Sequence, residues 1–156
     1  MCGIDGRIDW RKDLTKAENR KVLEQMQETL KRRGPDEQGE WIDENVGLVH
    51  RRLIVIDPEG GKQPMAKKIA NNKFIISYNG ELYNTAELRK KLSKLGYKFD
   101  SHSDTEVLLT AYIEWERECV KYLNGIYAFA VWDQRREQLF LARDRIGVKP
   151  LFYSCK

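Results

Sequence analysis

Apolar residues alternate with polar ones, or run in short blocks, over residues 2–8, 46–50, 74–78, 126–132, 138–142 and 151–153, which predicts six strands. Three amphipathic helices lie between them. The first opens on the capping-box pattern Thr15-Lys16-Ala17-Glu18, carries Val22, Leu23, Met26 and Leu30 on one face, and stops at Gly34-Pro35. The second opens with Asn84 and Glu87, aligns Leu88, Leu92 and Leu95, and ends at Gly96. The third opens with Ser103 and Glu106 and runs through Val107, Leu108, Ala111, Tyr112 and Trp115. The strands at 126–132 and 138–142 are separated by Asp133-Gln134-Arg135-Arg136-Glu137, which reads as an antiparallel hairpin. Strands with hairpin-like neighbours, interleaved with one-faced helices, fit mostly antiparallel sheets covered by helices on one side.

Composition narrows the class without naming a function. With 156 residues, 41 % hydrophobic and 33 % charged, the chain has the make-up of one globular domain, which excludes disordered, collagen-like and disulfide-scaffold classes. No stretch approaches the roughly 18 uninterrupted apolar residues of a membrane-spanning helix, and the start MCGIDGRIDW lacks the pattern of a secretory signal, so the expected location is cytoplasmic. The net charge of +4 comes from 28 basic and 24 acidic residues of interleaved sign. That pattern is a solvated surface rather than a nucleic-acid stripe, and neither nucleic acid nor membrane is an expected partner. Cys2, Cys119 and Cys155 are odd in number and far apart, and His50 and His102 are the only histidines, which argues against a zinc site or a disulfide framework.

Cys2 follows the initiator methionine directly. Removal of Met1 would leave a thiol, of ordinary pKa about 8.5, beside a free α-amine of about 7.7–8.0, a nucleophile that carries its own base. The competing reading is a small hydrophobe near a chain end. Position alone favours the latter, and the other motifs reverse the odds.

Met1-Cys2-Gly3-Ile4, Arg33-Gly34-Pro35-Asp36, His50-Arg51-Arg52-Leu53, Gly60-Gly61-Lys62-Gln63-Pro64-Met65, Tyr78-Asn79-Gly80-Glu81-Leu82-Tyr83-Asn84 and Ser103-Asp104-Thr105-Glu106 occur in this order. Together they resemble the glutamine-hydrolysing domain of class II glutamine amidotransferases, which are N-terminal nucleophile hydrolases. Together with residues 124–133 and 143–153, the HRRL, GGxQPM and SDTEVLL segments resemble the glutamine-dependent asparagine synthetases within that group. The resemblance implies an α+β fold, a four-layer αββα sandwich of two mostly antiparallel sheets, with residues 1–156 forming a glutaminase domain shortened at its C-terminus.

For the site, the resemblance implies Cys2 as nucleophile and, through its amine, as proton shuttle. It assigns the oxyanion hole to the side-chain amide of Asn79 and the N–H of Gly80, types suited to the task as a neutral donor and a residue permitting close approach. Asn79-Gly80 alone would read as a hairpin turn; the continuation Glu81-Leu82-Tyr83-Asn84 and the family order favour an active-site loop after a strand. Arg52 matches the arginine that holds the substrate α-carboxylate, Arg51 being a bystander, and Leu53, Ile54, Val55 and Ile56 would line the pocket partly through backbone groups. A surface ion pair is the alternative for Arg52. Asp104 and Glu81 match the acidic residues that hold the substrate ammonium, although a carboxylate at the start of a helix is favoured for capping alone. Arg32, Asp5 and Lys62 depart from the commoner family residues. In an extended strand Asp5 points away from the face of Cys2 and Ile4.

The resemblance implies glutamine as substrate, no metal or organic cofactor for this half-reaction, and a synthetase domain, absent here, that uses ATP and magnesium to activate an aspartate carboxylate. The strands at 126–132 and 151–153 would present faces that the absent part covers, pointing to self-association, with a homodimer one outcome, or to marginal stability. A silent glutamine-binding module with Met1 retained, an amidotransferase with a different acceptor, and an amide hydrolase using Cys2 on another substrate are the alternatives.

Overall fold

The computed structural model describes residues 2–54 and 60–155. Among the described residues, seven strands form two sheets in which every pairing is antiparallel. The first sheet, in the order β1-β3-β2, consists of β1 (Gly3–Ile8), β2 (Glu37–Ile42) and β3 (Val46–Arg52). The second, β4-β5-β6-β7, consists of β4 (Met65–Ile69), β5 (Asn72–Leu82), β6 (Gly125–Asp133) and β7 (Gln138–Arg143). Helices α1 (Ala17–Thr29), α2 (Thr85–Lys94) and α3 (Asp104–Trp115) complete the regular structure of the described residues, with a short 3-10 turn at Glu116–Lys121.

Side-chain alternation assigns the layers. Odd positions of β5 and even positions of β6, namely Ile75, Ala130 and Trp132, meet Val46 and Leu48 of β3 between the sheets. The opposite faces, with Phe74, Ile76, Tyr78, Phe129 and Val131, pack under α2 and α3 through Leu88, Leu92, Leu108 and Tyr112. On the far side of the first sheet, a side chain on Gly47 would strike Leu23 of α1 and one on Gly3 would strike Leu30, so α1 lies close against that face. The order helix, sheet, sheet, helices is the expected αββα sandwich. The β6–β7 hairpin forms as its sequence predicts.

Several local expectations fail for physical reasons. Two strands, β2 and β4, escape the periodicity because they are edge strands of polar composition, EQGEWI and MAKKI, whose exposed faces carry charge. Residues 151–153 form no strand, and Phe152 is 90 % exposed. β6, by contrast, pairs on both edges and is buried on both faces, so it presents no uncovered face. The capping box of α1 does not close: Lys16 is the cap without a side-chain bond, while Thr15 turns back to Asp13. Asn84 likewise spends its amide on Tyr122 O and Asn124 N rather than on α2. Val22 and Leu95 lie exposed at the margins of their helical stripes, whereas Leu23, Leu88 and Leu92 are buried. The Ser103 cap of α3 forms as expected, its hydroxyl accepting the Thr105 N–H at 3.1 Å.

Candidate active site

Cys2 immediately precedes β1, and the register that pairs Gly3 with Arg51 sets it beside Arg52 at the end of β3. There its thiol meets the backbone of Leu53, whose N–H points at Sγ from 3.4 Å and whose carbonyl accepts at 3.7 Å. The Arg33-Gly34-Pro35-Asp36 segment wraps this corner. Arg33 Nε donates to Cys2 O at 3.4 Å, and Asp36 Oδ2 accepts the Ile54 N–H at 2.8 Å. Gly34 is required for the contact, because a Cβ there would lie 2.3 Å from the Arg51 carbonyl.

Adjacent arginines of β3 diverge because successive side chains take opposite faces. Arg51 turns to α1, donating to Gln27 O at 3.2 Å and to Glu28 at 2.8 Å. Arg52 turns between the sheets and pairs with Glu37 of β2 at 2.8 Å. The alternation also sets Asp5 on the Gly3 face, against α1 and away from Cys2, as expected. Burial there raises the Asp5 pKa.

The opposite wall is the free edge of β5. Asn79-Gly80 forms neither a turn nor a loop: both residues continue β5, paired with Ala128 and Tyr127 of β6, and Gly80 has no positive φ. Asn79 follows Ile75 and Ser77 on the inner face, buried, and no hydrogen bond among the described residues uses its side-chain amide. The backbone of Gly80 is set by parity. Tyr127, its partner across the ladder, gives its carbonyl to the Asp144 N–H at 2.7 Å and its own N–H to Asp144 Oδ2 at 3.3 Å. Gly80 and Tyr127 are therefore a non-hydrogen-bonded pair, and the Gly80 N–H faces the other edge. On that edge, the Tyr78 N–H is taken by Gln63 Oε1 at 2.6 Å and the Leu82 N–H by Asp104 Oδ2 at 3.2 Å. The Gly80 N–H between them lies on the edge that borders the cavity Cys2 also lines.

These walls enclose a cavity of about 210 Å³ lined by Cys2, Arg52, Leu53, Asn79, Gly80, Glu81 and Asp104 among others. Its volume is below the roughly 300–1,000 Å³ of sites for drug-sized ligands and suits an amino acid. Arg52 supplies positive charge from the first sheet, while Asp104 and Glu81 supply negative charge from the second layer, a polarity matched to a zwitterion. Asp104 also accepts the Tyr78 hydroxyl at 2.9 Å, and its burial holds its pKa above the usual carboxylate value. Ile54 adjoins the site but is not part of the lining. Val55 and Ile56 lie outside the described residues.

Gln63, Gly61, Tyr78, Thr105 and the buried Lys149 also line the cavity and had no assigned role in the sequence. The Gly60–Met65 and residue 143–153 motifs were the available signals, but neither tells which side chain folds inward. His50 is not a partner for Cys2: it lies outside this lining, burial lowers its pKa to about 4, and Nε2 is used on the Tyr78 carbonyl at 3.0 Å. Among the described residues no group of three or more His, Cys, Asp or Glu side chains could hold a metal, and no helix is long and apolar enough to cross a membrane.

Comparison with known proteins decides the family, since the model of the glutamine amidotransferase domain matches residues 1–156. The chain belongs to the glutamine amidotransferase domain family. One relative, asparagine synthetase [glutamine-hydrolyzing] 3 of Bacillus subtilis (strain 168), is 52 % identical over 99 % of this chain and 25 % of its own length. Another, amidase chry2 of Gibberella zeae, is 34 % identical over 99 % of this chain and 24 % of its own length. This amidotransferase domain thus spans about a quarter of the length of these curated relatives. Among solved structures, the glutamine phosphoribosylpyrophosphate amidotransferase from B. subtilis shares the fold, with a TM-score of 0.56 and 24 % identity over 70 % of this chain and 25 % of that one.

Proposed function

We propose that this domain hydrolyses the side-chain amide of glutamine through Cys2 and supplies ammonia to a synthetase activity of the longer protein. The observation that carries the reading is one cavity uniting the Cys2 thiol, an Asn79 amide without a partner among the described residues, and the open Gly80 N–H.

With Met1 removed, the Cys2 α-amine accepts the thiol proton and the thiolate attacks the glutamine amide carbon, forming a C–S bond. Asn79 Nδ2 and the Gly80 N–H donate to the oxyanion, interactions strongest when the charge develops. The protonated amine returns its proton to the departing nitrogen, the C–N bond breaks, and ammonia leaves. Water then attacks the thioester with the amine as base, releasing glutamate and restoring the thiol. Arg52 holds the substrate α-carboxylate, and Asp104 with Glu81 holds its ammonium. This half-reaction needs no cofactor.

The ammonia is used by an ATP- and magnesium-dependent part that activates aspartate and forms asparagine, the product implied by the relatives' names. The reaction is placed in the cytoplasm. The relative named an amidase supports a second reading, in which the same cavity and Cys2 hydrolyse the amide of a different substrate. Intact mass of the N-terminus combined with glutamate release from glutamine tests the proposal. Loss of Met1 with turnover, abolished by Cys2→Ala, is expected; loss of Met1 without turnover would refute it.

A further inference from the structure

We infer that Gln63 is a positioning residue that ends strand pairing one step before Gly80 and so keeps the Gly80 N–H available to the reacting oxygen, an inference that rests on the glutaminase reading. The β4–β5 ladder pairs Met65 with Ile76 and Ile69 with Asn72. Continued two and four residues further, the same register would set Gln63 opposite Tyr78 and Gly61 opposite Gly80. A backbone at Gly61 in that position would take the Gly80 N–H into the sheet.

The chain does not continue that way. The Gln63 backbone is drawn across to the first sheet, where a Cβ on Gly39 would fall 1.9 Å from its carbonyl oxygen. Its side chain reaches back in place of the missing strand: Oε1 accepts the Tyr78 N–H at 2.6 Å, and Nε2 donates to Thr105 Oγ1 at 3.4 Å. His50 Nε2 takes the Tyr78 carbonyl at 3.0 Å, so both polar groups of that peptide edge are satisfied by side chains. A buried N–H left without a partner is costly, and without Gln63 the edge would recruit another acceptor or move. Gly61 stays in the cavity wall, displaced from the register it would otherwise occupy.

Gln63→Met removes the acceptor at nearly constant length. In the glutaminase assay kcat should fall by about 10- to 100-fold, the scale of a displaced oxyanion donor, with the KM for glutamine little changed. The γ-aldehyde analogue of glutamine adds the Cys2 thiol across its carbonyl and places an oxygen where the oxyanion forms. Its affinity should fall by the same factor, while glutamate binds as before. An unchanged kcat, or equal losses for aldehyde and glutamate, overturns the inference. Amide hydrogen exchange supplies a readout independent of turnover: the Gly80 amide should exchange at least about ten times faster than the Tyr78 amide, and Gln63→Met should erase that difference. Gln63→Glu, which keeps the accepting oxygen, should preserve slow exchange at Tyr78 and serves if the Met variant does not fold. A wild-type chain inert toward glutamine refutes the glutaminase reading alone, whereas an exchange ratio unaffected by Gln63→Met refutes this one.

Discussion

Replacing Asp104 by Asn separates substrate binding from helix support. Asp104 stands at the first position of α3, but the cap itself is Ser103, and the carboxylate faces the cavity. Its Oδ2 accepts the Tyr78 hydroxyl and the Leu82 N–H, both of which an asparagine carbonyl can also accept. What Asp104→Asn removes is the charge. If that charge holds the glutamine ammonium, the loss of one charge-assisted hydrogen bond, about 1.5–3 kcal/mol, raises KM by roughly 10- to 150-fold. The stability effect follows from the direction of the pKa shift. Burial raises the folded pKa above the unfolded one, so any stabilisation belongs to the protonated form and is lost as pH rises through the folded pKa. At pH 7 the ionised group is a liability, offset in part by about 0.3–1 kcal/mol from the helix dipole. Denaturant midpoints should therefore stay within about 1 kcal/mol of wild type, or rise. Steady-state kinetics with urea titrations of both forms makes the comparison, and an unchanged KM with a clear loss of stability would refute the binding role. In the wild type, KM should also climb on acidification through the Asp104 pKa, and Asp104→Asn should flatten that dependence.

Three other outcomes follow from the same geometry. Arg51→Met should destabilise the domain by about 1.5–3 kcal/mol, because Arg51 is buried against α1, yet leave the KM for glutamine nearly unchanged; Arg52→Lys should show the reverse, a raised KM in a stable protein. Gly34→Ala forces a Cβ into the Arg51 backbone and should cost about 1–3 kcal/mol or more with lost turnover, checked by thermal unfolding and the glutaminase assay. His50 has its folded pKa lowered to about 4, so the unfolded chain binds the extra proton between that value and 6.5. Stability should be fully present above pH 6.5 and decline as pH falls toward 4, and His50→Asn should flatten this slope in urea midpoints measured from pH 4.5 to 7.

The sequence alone carried the helices and the strands buried in the sheets, and the family resemblance of its motifs implied the αββα arrangement and half of the cavity lining. The helices and strands depend on local periodicity and, for α3, on the Ser103 cap. Edge strands β2 and β4 were illegible because charged Glu37, Glu40, Lys67 and Lys68 fall on both faces, half-buried and exposed alike, so their pattern resembles a loop. The Asn79-Gly80 pair shows the same limit more sharply. Locally it spells a turn; in the fold it is straight strand, because nine successive pairs with β6 outweigh a two-residue preference. Which of two neighbouring arginines faces the cavity follows from strand alternation once the register is known. The openness of the Gly80 N–H could only be decided by tertiary structure. It depends on Asp144 engaging Tyr127 on one side and Gln63 replacing β4 on the other, contacts separated by 81 positions in the chain and joined only when the sheets assemble.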